Sequence, residues 1–149
     1  MTEQAVLSAD ERRGLAGFAG VMIPASAEYA VPGADDPAIV ADMVSTLGRD
    51  APWVRAALQR LDALAEGCFA DLPEARREDV AHRLREEGGA ALATLCRVVL
   101  QCYYRDDRVL LSLGIEPRPP FPKGHVLEQG DWSLLDPVRQ RASMWRRVE

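Results

Sequence analysis

Asp50-Ala-Pro-Trp-Val-Arg-Ala-Ala-Leu-Gln-Arg-Leu-Asp-Ala-Leu-Ala-Glu-Gly-Cys68 is the stretch on which the fold turns. Trp53, Val54, Ala57, Leu58, Leu61, Leu64, Ala65 and Cys68 recur three and four residues apart, the period of a helix that buries one face. Asp50 is the expected N-cap. Downstream, Asp71-Leu-Pro-Glu74 opens a second helix with a thin apolar face (Val80, Ala81, Leu84) that stops at Gly88-Gly89. Residues 90–104 are apolar around most of the circumference, which places that helix at the centre of a bundle. Asp106-Asp107 caps a short turn that runs to Leu113 and ends at Gly114.

Upstream, Ser8-Ala-Asp-Glu11 spells a capping box, in which hydroxyl and carboxylate each satisfy the other's free amide. The helix it opens carries Leu15, Phe18, Ala19 and Met22 on one stripe and ends before Pro24. Gly14, Gly17 and Gly20 lie inside it at helical spacing, where small residues let neighbours approach closely. They do not follow a strand, as a phosphate loop requires. Pro32-Gly33 marks a turn, and Asp36-Pro37 caps a helix with Ile39, Val40, Met43, Val44 and Leu47 inward and Gly48 as its stop. No alternating strand pattern appears. The expected architecture is all-α: a compact bundle of five to six helices over residues 1–114. An extended proline-rich arm and a short final helix follow over 115–149, within the same domain or against a partner.

That arm is the unusual part. Pro117, Pro119, Pro120 and Pro122 bracket Phe121, and Trp132 and Trp145 follow. Proline at this density excludes helix interior and central strand. Linkers are polar, whereas this arm carries aromatic groups that favour burial. Residues 115–135 are therefore expected to be ordered without helix or strand, with Phe121 and Trp132 buried. Asp136-Pro137 then starts the last helix, which carries Val138, Met144 and Trp145.

The chain has 149 residues and a net charge of −5, which argues against nucleic acid or an anionic membrane as its principal partner. The acid excess lies before residue 116; Arg139, Arg141, Arg146 and Arg147 make the tail locally basic. No apolar run reaches the length of a membrane span. Met1-Thr-Glu-Gln-Ala lacks a basic leader region, so the expectation is a cytoplasmic protein, periplasmic only if co-exported or truncated. Cys68, Cys96 and Cys102 form no CxxC pair and read as free core thiols. His82 sits on a charged helix and His125 behind the arm, neither with the company a metal needs. The acidic pairs Asp35-Asp36, Glu86-Glu87 and Asp106-Asp107 fall at helix boundaries, where capping explains them. Asp106, Asp107 and His125 are the candidates for a stand-alone enzyme, but no nucleophile-and-base arrangement is legible. The chain is not expected to be an enzyme by itself.

Leu7-Ser-Ala-Asp-Glu11, the helix ending Val21-Met-Ile-Pro24, Leu58-x-x-Leu61-Asp-Ala-Leu64, Phe69-x-x-Leu72-Pro and Tyr103-Tyr104-Arg-Asp-Asp-Arg-Val together resemble the gluconate 2-dehydrogenase subunit 3 family. The likeness spans most of the chain. Arg118-Pro-Pro-Phe-Pro-Lys-Gly124 and Trp132-Ser-Leu-Leu-Asp-Pro137 resemble a subgroup of small proteins that accompany flavin-dependent oxidoreductases. The resemblance implies a non-catalytic accessory subunit that carries no cofactor or metal of its own. It would bind and stabilise a large FAD-containing dehydrogenase of the glucose-methanol-choline (GMC) type, as a hetero-oligomer. The chain departs from the family twice: it lacks the twin-arginine leader of exported members, and Arg105-Asp-Asp-Arg108 stands where a Tyr-Gly-Gly-Asn motif is common. Tyr103, Tyr104, Arg118, Phe121, His125, Trp132 and Trp145 are the candidate partner-binding residues, the aromatic ones being of the type that carries interface energy. The alternative is an independent small-molecule-binding helical domain with a pocket between bundle and arm.

Overall fold

A computed structural model describes residues 7–119, 124, 126 and 128–142. The protein is all-α, with seven α-helices and no strand among the described residues. By packing, the chain divides into two units, Met1–Pro117 and Arg118–Glu149.

The first unit holds helices α1 (Ala9–Met22), α2 (Pro37–Thr46), α3 (Ala51–Ala65), α4 (Glu74–Glu87), α5 (Ala90–Tyr103) and α6 (Asp107–Ser112). Helix α1 starts with the expected capping box. Ser8 N–H donates to Glu11 Oε2 (2.7 Å), and Glu11 N–H donates to Ser8 Oγ (3.2 Å). Burial pushes the Glu11 carboxyl upward, but bonds from the Ser8 amide and Arg55 outweigh it and hold the group below its usual range. Asp36 caps α2 by accepting from Ala38 N–H at 2.9 Å, and Asp106 caps α6 through Arg108 N–H at 2.9 Å.

Helix α3 packs against α4, α5 and α1, and α2 against α5. Leu15, Ile39, Met43, Val54, Leu61, Phe69, Val80, Leu95 and Val99 are fully enclosed between them. Burial of such side chains, roughly 1.5–3 kcal/mol each, is what holds short helices of this kind together. The glycines of α1 leave room as their spacing suggests. A Cβ at Gly14 would meet Leu58 of α3 at 3.7 Å, one at Gly17 would meet Arg77 at 3.3 Å, and one at Gly20 would meet the Asp35 carboxyl at 3.1 Å.

Three expectations are corrected in this unit. Asp50 makes no cap bond, because a 3₁₀ turn (Gly48–Asp50) feeds straight into α3 and the carboxylate pairs with Arg97 of α5 at 2.9 Å. Trp53 is 51% exposed. It stands one position ahead of the buried series Val54, Ala57, Leu58, Leu61 and Leu64, and one residue is about 100° of helix. Helix α5 is not enclosed all round: Ala93, Arg97, Leu100 and Tyr104 form an exposed stripe.

In the second unit, Arg118 Nη2 donates to the Gly124 carbonyl at 2.9 Å. Residues 128–131 are irregular, and a 3₁₀ turn (Trp132–Leu135) leads into α7 (Asp136–Arg139). Asp131 caps that turn, its Oδ1 accepting from Ser133 N–H (3.0 Å) and from the Ser133 hydroxyl (2.6 Å). The arm is thus helical from Trp132, earlier than the proline content suggests. Trp132 is 63% exposed, not buried. Phe121, His125, Met144 and Trp145 lie outside the described residues.

Candidate functional site

Two surfaces concentrate the chemistry the sequence singles out. The first is a cleft of about 430 Å³ where α2 meets the α5–α6 junction, its walls including Asp42, Cys102 and Arg105 through Arg108. Arg108 offers both Nη atoms to Asp36 (3.0 Å each) and its Nε and Nη2 to Asp106 (2.9 Å each). It thereby ties the N-caps of α2 and α6 to one guanidinium. The Arg108 bonds hold the Asp36 and Asp106 carboxyls below the usual range, and both carboxylates push Arg108 up. Arg105 does the same across the cleft, its Nε 2.6 Å from Asp42 Oδ2 and its Nη2 3.2 Å from Thr46 Oγ1.

Every full charge in this first cleft except Asp107 is therefore answered within the fold, so its main work is to hold α2 against α6. Cys102, at the cleft floor, is 3.7 Å from Thr46 Oγ1. Burial raises its thiol pKa, and Cys96 is raised for the same reason. Both therefore stay protonated at neutral pH and make poor nucleophiles. Sequence reasoning read Asp106-Asp107 as a cap and as a candidate for catalysis, but did not join Arg108 to Asp36 or Arg105 to Asp42. The available signal was an N-cap pair flanked by two arginines.

The second comprises exposed apolar and aromatic side chains, which each unit carries on its own surface. In the first unit Tyr104, Leu111, Leu113 and Ile115 are at least half exposed, and in the second unit so are Trp132, Leu134 and Val138. Tyr103 belongs elsewhere: it is 4% exposed, and its hydroxyl donates to the Pro32 carbonyl at 3.2 Å. It props the Pro24–Asp36 loop and is a core residue, not a contact. Tyr104 meets it edge-on at 5.2 Å with its own ring 51% exposed, because at the C-cap the chain turns away from the helix. Of the sequence-predicted partner residues, the structure thus leaves Tyr104 and Trp132 at the surface and removes Tyr103 from it. Arg118 bonds within its own unit.

His82 is exposed and stands 3.6 Å from Glu86 on the same helix. Among the described residues no group of His, Cys, Asp or Glu is clustered to hold a metal ion. No helix there is long and apolar enough to cross a membrane. The three cysteines are free thiols. Compared with known proteins, the chain matches no family model, no curated protein and no solved structure.

Proposed function

We propose that the chain is a non-catalytic accessory subunit that binds and stabilises a large FAD-dependent GMC-type dehydrogenase. The observation that supports it is the exposure of Trp132, Leu134 and Val138 on a short capped segment. Several large apolar side chains left in water on one short ordered segment favour a surface that meets another protein. Tryptophan is also the residue type that most often dominates such interfaces. The likeness of Tyr103-Tyr-Arg-Asp-Asp-Arg-Val and of the proline arm to the gluconate 2-dehydrogenase subunit 3 family supplies the kind of partner. In this reading FAD belongs to the large subunit, and the small one contributes contact area.

Affinity capture of the tagged chain from its native cells, read for flavin absorbance in the eluate, tests the proposal. A stoichiometric flavoprotein is expected, and Trp132→Asp with Leu134→Asp should release it while the isolated chain melts as before. Capture without any flavoprotein, or unchanged capture by the double variant, would sink it.

A further inference from the structure

We draw no further inference here: the strongest candidate, the apolar cavity of about 450 Å³ where Phe18 and Met22 of α1 face α4 and, on α5, Leu92 and Cys96, is edged by solvent-exposed groups of both signs, and nothing in the structure shows what covers it.

Discussion

Arg108 shows how much one side chain does here. Four hydrogen bonds to two capping aspartates replace what would otherwise be two separate water-exposed helix starts. Because Asp36 and Asp106 are held below their unfolded values, their stabilisation is complete above pH ~4, the ordinary aspartate range. It is lost as pH falls through the lower, folded values. Arg108→Met should therefore lower the urea midpoint at pH 7, and the gap to the parent should shrink as both are titrated towards pH 2–3. A gap that persists in acid would mean the arginine acts through its packing alone. At the other end of the chain, Ser8→Ala should cost about 1 kcal/mol in urea unfolding, the usual value of an N-cap.

The caps at Ser8, Asp36 and Asp106 were legible in the sequence because an N-cap bond is local, made within three residues. Asp50 was not, since its competing partner Arg97 lies in another helix.

At the scale of the helices, the α4–α5 joint decides the geometry. Gly88 (φ 66°, ψ −149°) and Gly89 (φ 99°, ψ 169°) let α5 fold back beside α3. The Gly88 backbone lies in a region that side chains essentially exclude. Gly88→Ala is expected to destabilise by about 1–3 kcal/mol although nothing lies near the added methyl. A neutral result by denaturant titration would show that the joint relaxes. The 3.6-residue pattern located α1 to α4, whose apolar residues recur on one stripe, while α6 was read as a capped turn from Asp106-Asp107. It failed for the surroundings of α5, where Leu100 and Tyr104 continue an apolar run but are left exposed among the described residues. Composition along a helix reports what can be buried, and only the number of neighbours decides what is. Trp53 teaches the same lesson in reverse: its size invites burial, but its angle on α3 does not permit it.

For the whole molecule, the enclosed apolar core of the described residues runs from Leu7 to Val109, all within the first unit. Removing residues 118–149 should accordingly leave the thermal midpoint within a few degrees of the full chain. A large drop, measured by circular dichroism, would show that the C-terminal unit contributes to that core. The fold class could be read from periodicity. The exposure of Trp132 could not, because an aromatic side chain after a proline run signals burial without saying against which surface.

The clasp of Arg108 on Asp36 spans 72 positions of the chain. Closing so long a segment loses chain entropy before any contact is gained, so we expect the clasp to form after α2 and α6 have come together. Contacts absent from the folding transition state slow escape from the native state without speeding arrival. The clasp is then expected to act as a brake on unfolding: Arg108→Met should speed the unfolding arm of a chevron and leave the refolding arm almost unchanged.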